Sequence, residues 1–174
     1  VHGSITPSEM IPDALPDLIR RFEGLRLKPY RCPAGVATIA YGHTGPEVHM
    51  GMAPITRALA EVWLLEDAEK ACRAALRWSP ILAGEDDRLA AIADFVFNLG
   101  AGRYKASTLR RRVNEGDWPA AEEQLHRWVF GGGRRLPGLV LRRQAEAGLL
   151  RLASKTQENG TGFHRHETRR AQRF

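Results

Sequence analysis

Residues 22–44 read FEGLRLKPYRCPAGVATIAYGHT, and this stretch decides how the rest of the chain is interpreted. Just upstream, Leu15, Leu18, Ile19 and Phe22 follow the i, i+3, i+4, i+7 spacing of a helix with one apolar face. Asp13 suits the cap of that helix and Pro16 its first turn. Gly24 ends it, which leaves Glu23 at its C-terminus, where the helix dipole disfavours negative charge; in an apolar site the carboxyl would keep its proton. A short basic link follows, and Pro29, Pro33 and Gly35 prevent helix between 28 and 35. Val36 to Tyr41 is β-branched and aromatic, which predicts a strand in a small hairpin. An acid (Glu23), a thiol (Cys32) and a hydroxyl (Thr38) thus fall within one turn-and-hairpin unit.

Downstream, Thr56 reads as the N-cap of a long helix, about 56–78, stopped before Pro80. Its apolar face is assigned to Leu59, Trp63, Ala68, Cys72, Ala75 and Leu76, widened by Val62 and Leu65. A helix of roughly 20 residues is about 30 Å long, enough to join two lobes. Everything after Pro80 reads as helical. One helix opens at Asp86 and closes at Gly100, with Leu89, Ile92, Ala93, Val96 and Phe97 inward. Thr108 is expected to cap a short helix closed by Gly116, and Asp117 to cap another carrying Trp118, Ala121, Leu125, Trp128 and Val129. Gly131 to Gly133 interrupt the pattern. Pro137 starts a last helix, on which Arg142 and Arg143 lie four and three residues before Glu146 and read as an ion-pair face.

The expected architecture is α+β, with a small β-hairpin lobe and a helical lobe joined by the long helix and a cleft between them. Residues 1–12 read as a lead-in, 13–154 as the two-lobed domain and 155–174 as a basic tail. At 174 residues, 43% hydrophobic and 26% charged, the chain can bury a core without disulfide or metal staples. Two cysteines have no metal-ligand spacing, and Cys72 falls on an apolar helix face, where a core role is expected. Neither a metal cluster nor a phosphate-binding glycine loop is visible, so no cofactor is expected. No apolar stretch reads as a signal peptide or membrane span.

Net charge is +6, and residues 155–174 carry five bases (Lys155, Arg165, Arg169, Arg170, Arg173) against two acids (Glu158, Glu167), half of that excess. Such a balance favours anionic partners: nucleic acid, membrane or acidic wall polymer. The basic residues are not interleaved with aromatics, which argues against single-stranded nucleic acid.

Taken singly, the candidate residues have ordinary readings. Glu23 could be a surface residue, Thr38 a strand residue, and Asn98 a helix-end residue. His43 reads as a structural histidine paired with a carboxylate. Together they form a pattern. Eight residues separate Glu23 from Cys32 and five separate Cys32 from Thr38, with YGH at 41–43. This Glu–x8–(Asp or Cys)–x5–Thr spacing resembles the phage-type lysozymes, glycoside hydrolase family 24. ITRALAEVWLLED (55–67), DFVFNLGAGRYKASTLRRRVNEGDW (94–118) and GLVLRRQAEAGLL (138–150) resemble further segments of that family in the right order.

The resemblance implies a lysozyme-like fold and cleavage of the β-1,4 bond between N-acetylmuramic acid and N-acetylglucosamine in peptidoglycan. It implies Glu23 as general acid and a water held by Thr38 and Cys32, the thiol standing where other members carry Asp. It also implies Gly42 and Thr44 on the sheet side of the cleft, and Phe97, Asn98 and Thr108 on the helical side, as substrate-binding residues. The expected enzyme is a monomer. It waits in the host cytoplasm and reaches the wall through a holin pore, and its basic tail approaches an anionic outer membrane. Two other readings are a lytic transglycosylase, which needs no positioned water at Thr38, and a non-catalytic basic binding module, against which intact Glu23 and Thr38 argue.

Overall fold

The computed structural model describes residues 10–160, with side chains to residue 152. Helix α1 (Ala14–Glu23) buries Leu15, Leu18 and Ile19 and stops at Gly24, whose φ of +69° is costly for other residues. Asp13 stands at its N-cap position without a side-chain cap bond. The basic link expected next is in fact strand β1 (Arg26–Arg31), paired antiparallel with β2 (Ala37–Ala40) through Arg26–Ala40, Tyr30–Thr38 and Arg31–Ala37. Pro29 falls where the register is irregular, between Arg26 and Tyr30, so its missing N–H is tolerated there.

Helix α2 (Arg57–Trp78) starts as expected, with the Thr56 hydroxyl accepting a hydrogen bond from the Leu59 amide at 3.1 Å. Its buried face differs from the expected one. Leu59, Val62 and Leu65 are exposed, and the buried stripe is Ala60, Leu64, Ala68, Ala71, Cys72 and Ala75. The stripe is built mainly of small residues because α2 lies against α3 (Asp86–Leu99), itself rich in alanine at Ala90, Ala91 and Ala93. Small side chains at the seam let two helices approach closely, and the larger residues then have no room there.

Helix α3 is the hub. Every residue from Arg88 to Val96 is buried, and it packs against α1, α2, α4 (Ala101–Ala106) and α7 (Pro137–Gly160). A helix buried all round has no solvated face to reveal its orientation. A 3₁₀ turn (Pro80–Leu82) connects α2 to α3. Ser107, rather than Thr108, caps α5 (Thr108–Asn114), its hydroxyl accepting from the Arg110 amide at 3.0 Å. Asp117 caps α6 (Trp118–Leu125) as expected, but the helix ends at Leu125, before Trp128 and Val129. The glycine break holds a short hairpin, β3 (Phe130–Gly131) with β4 (Arg134–Arg135), so the region after Pro80 is not wholly helical. Helix α7 continues to Gly160, six residues into the stretch read from composition as a tail, and the remainder of that tail lies outside the described residues.

The architecture is therefore α+β, with the β1–β2 hairpin set against helices and α2 running from one part to the other. No helix among the described residues is long and apolar enough to cross a membrane.

Burial in the α2–α3 seam has a titratable consequence. The Cys72 thiol is fully buried, and burial pushes it up to about 12. Above pH 9 the unfolded chain releases this proton while the folded chain keeps it. Stability is thus complete below the unfolded value and falls by roughly 1.4 kcal/mol per pH unit as pH rises toward the folded one. Denaturant midpoints measured from pH 8 to pH 11 should show this alkaline decline, and Cys72→Ala should flatten its first part. An unchanged slope in the variant would mean that the thiol is not sealed.

Candidate active site

Glu23 is the last residue of α1, and its side chain retains 24% of its surface, so a ligand can reach it. Its Oε1 accepts a hydrogen bond from Arg142 Nη1. Its other oxygen faces the turn after β2. A Cβ placed on Gly42 would sit 3.6 Å from Oε2, and Gly42 has φ +89°. Glycine serves this turn by accepting a left-handed backbone; a Cβ there would meet the carboxyl only at ordinary contact distance.

The turn is held tightly. Ile39 and His43 exchange both backbone hydrogen bonds, at 3.0 and 2.8 Å, while Ala40 between them adopts φ +54°. The His43 ring is buried and stacked on Trp63 at 4.6 Å between centroids. Its Nδ1 lies 2.6 Å from Asp67 Oδ2 and its Nε2 2.6 Å from Glu47 Oε1. His43 is thus a structural residue paired with carboxylates, and it anchors the hairpin to α2. The neighbouring Tyr41 hydroxyl adds a second anchor by donating to Glu61 at 2.6 Å, and Arg20 of α1 donates to the same carboxylate at 2.8 Å.

Cys32 and Thr38 come together in the β1–β2 hairpin. Thr38 is buried, and its hydroxyl donates to the Val36 carbonyl at 3.0 Å. Cys32 is half-buried and unbridged. Hydrogen bonding from the Val36 backbone, and then from the Ala34 backbone, holds the Cys32 thiol below its ordinary range. The lowering raises the fraction of Cys32 present as thiolate.

On the helical side, Phe97 and Asn98 are half-buried near the end of α3, and Asn98 Oδ1 accepts from Arg143 Nη2 at 3.0 Å. Thr108, in the first turn of α5, accepts from Arg111 at 3.0 Å. Thr44 is exposed immediately after His43.

The ion-pair face expected on the last helix forms, and it is buried: Arg142, Arg143 and Glu146 lie in the core together with Asp94. Arg142 grips Asp94 of α3 with two bonds, Nε to Oδ2 and Nη2 to Oδ1, both 2.8 Å, and turns its third nitrogen to Glu23. Burial alone would lower its pKa, but the bonds and charge of Asp94, with those of Glu23, reverse this and raise it. Arg143 pairs with Glu146 at 2.7 Å. Burial pushes the Glu146 carboxyl well above the usual carboxylate range. The pairing of Asp94 with Arg142 beside Glu23 is what spacing could not reveal, since the two meet across 48 residues.

Among the described residues no group of three or more His, Cys, Asp or Glu side chains could hold a metal ion. A groove of about 520 Å³ lined by Ile11, Pro16, Val62 and Leu65 contains none of the candidate residues.

A family model described as phage lysozyme matches residues 20–146. A SAR-endolysin of Bacteriophage PS119 is 39% identical over 124 residues, 71% of this chain and 73% of that protein. An endolysin of Acyrthosiphon pisum secondary endosymbiont phage 1 is 39% identical over 140 residues, 78% of this chain and 94% of its own. Among solved structures, the muramidase domain of SpmX from Asticaccaulis excentricus superposes with a TM-score of 0.68 at 29% identity, covering 80% of this chain and 96% of that one.

Removing Arg142 would leave Asp94 buried without its cation, a loss of about 3–5 kcal/mol for a broken buried pair. Arg142→Met should therefore lower the urea midpoint sharply, and Arg142→Met/Asp94→Leu should recover much of the loss. A double variant no more stable than the single one would show that the pair is not energetically coupled.

Proposed function

Because the chain belongs to the phage lysozyme family and is a peptidoglycan-degrading glycoside hydrolase, we propose that it cuts the β-1,4 bond between N-acetylmuramic acid and N-acetylglucosamine, with Glu23 as general acid. The observation that carries this reading is the holding of the Glu23 carboxyl. One oxygen is fixed by Arg142, and the other faces Gly42 in the turn after β2. A group fixed through Oε1 presents Oε2 in a defined direction, as proton delivery to a leaving oxygen requires.

Glycoside hydrolysis by inversion needs a second group that holds a water on the opposite face of the sugar. We assign this to Thr38 and Cys32. The Thr38 hydroxyl and the Cys32 sulfur share one hairpin, where hydrogen bonding raises the thiolate fraction of Cys32. In the resting geometry the Thr38 proton is given to Val36, which leaves the lone pairs of its oxygen to accept from water. The thiol acts in positioning, not as a covalent nucleophile.

Gly42 and Thr44 on the hairpin side, with Phe97, Asn98 and Thr108 on the helical side, are the proposed sugar contacts. We also propose that the enzyme acts alone, without cofactor or nucleic acid, and reaches the wall through a holin pore. The tail beyond the described residues would approach the anionic outer membrane.

The test is mass spectrometry of soluble fragments from purified peptidoglycan. The expected products end in a hydrated, reducing N-acetylmuramic acid; anhydro ends, one water lighter, would mean a transglycosylase and remove the water-holding role of Thr38 and Cys32. Glu23→Gln should keep the fold and lower the rate by about 10³-fold, within the usual span for a positioned acid. Thr38→Ala should cost much of the rate, and Cys32→Ser less than Glu23→Gln.

A further inference from the structure

The far end of α2 carries a surface that holds none of the proposed site residues except Thr108 at its edge. Residues 101–114, AGRYKASTLRRRVN, hold five bases and no acid. They form α4 and α5, which pack beside the end of α2 and the 3₁₀ turn after it. A pocket of about 400 Å³ opens there, lined by Arg73, Arg77, Trp78, Gly102 and Lys105 among others, with no acidic residue in its wall. Trp78 is half-buried at its centre. Lys105 Nζ lies 4.5 Å and the Arg77 guanidinium 5.2 Å from its ring centroid. Three residues on, Ile81 is an exposed large apolar side chain at 42%. The arrangement is pinned from behind by Asn114 of α5, which donates to the Trp78 carbonyl at 3.0 Å.

Two of the surrounding bases are neutralised locally, Arg73 by Glu69 and Arg112 by Glu115. Arg77, Arg103, Lys105, Arg110 and Arg111 make no salt bridge with a carboxylate among the described residues. Like charges gathered without acids repel one another, and an external anion relieves that repulsion. One small anion would satisfy only part of the set and would leave Ile81 in water. A sheet of phosphates over a hydrocarbon layer matches both components. Bases pair with headgroups while the indole and the aliphatic side chain sit at the boundary, as tryptophan and snorkelling bases do at membrane interfaces.

We propose that the Trp78–Ile81 knuckle, with Arg77, Lys105 and the bases of α4 and α5, is a docking surface for an anionic phospholipid leaflet. This surface belongs to the folded domain and is separate from the tail. It would hold the enzyme at a membrane face by its helical lobe, at the end of α2 remote from the β1–β2 hairpin.

The experiment is co-sedimentation of the full chain with vesicles of phosphatidylcholine, alone or mixed with phosphatidylglycerol. Binding should require phosphatidylglycerol and weaken with salt. Each base near such a leaflet is worth roughly fivefold, so Arg77→Glu/Lys105→Glu should weaken binding by about 30-fold or more. Arg134→Glu/Arg135→Glu makes the same charge change at exposed residues elsewhere and should weaken it by no more than about twofold, the size of a screened long-range effect. Ile81→Ser, at an exposed site, should reduce the binding that survives in high salt. Thermal midpoints of all three variants serve as the folding control. Equal losses in the two charge-reversal variants would overturn the proposal in favour of diffuse attraction. Stronger displacement by inorganic phosphate than by chloride at equal ionic strength would overturn it in favour of a single-anion site. Retention on purified wall sacculi with none on vesicles would overturn it in favour of a wall contact.

Discussion

A single buried guanidinium holds this structure together around its site. Arg142 comes from α7, closes a two-pronged bond on Asp94 of α3, and extends to Glu23 at the end of α1. Three helices thus converge on one side chain. A buried ion pair is a weak source of stability, because removing both charges from water offsets most of their attraction. An apolar trio could pack these helices as well. What an apolar trio could not do is fix the direction of a carboxyl that must remain partly open to solvent. The placement of Glu23 therefore explains the arginine better than fold stability does.

The other side of the site follows a different physical rule. Glu23 meets the hairpin at a tightly closed turn after β2, where Gly42 adopts the positive φ that other residues resist. That turn is fixed in turn by His43 and Tyr41, whose polar ends reach α2 through Asp67 and Glu61. Arg20 brings α1 to the same Glu61. The acid, the hairpin and the long helix thus share one hydrogen-bonded frame. Cys32 and Thr38, by contrast, are oriented by bonds within the hairpin itself.

The sequence was most legible where local chemistry is decisive. Thr56, Asp117, Gly24 and Pro137 mark their helix ends because capping and φ preference are properties of a few adjacent residues. The spacing of Glu23, Cys32 and Thr38 was visible for the same reason. What could not be read depends on packing. Strand β1 was hidden behind Pro29, since only its partner's register shows that no ladder bond is needed there. The inward face of α2 was assigned by residue size, whereas an alanine seam against α3 reversed that preference and left Val62 and Leu65 outside. Spacing showed Arg142 only as a partner of Glu146, because Asp94 lies on a helix that spacing does not connect to it.

The contact between Glu23 and Arg142 joins residues 119 positions apart. A ribosome adds about 5–20 residues per second, so the acid emerges several seconds before its partner. Through that interval the nascent chain carries the reactive carboxyl without the arginine that directs it. Chains halted before Pro137 remain in that condition. The order of synthesis thus sets the order of assembly: the frame around Glu23 is completed last, when the closing helix docks.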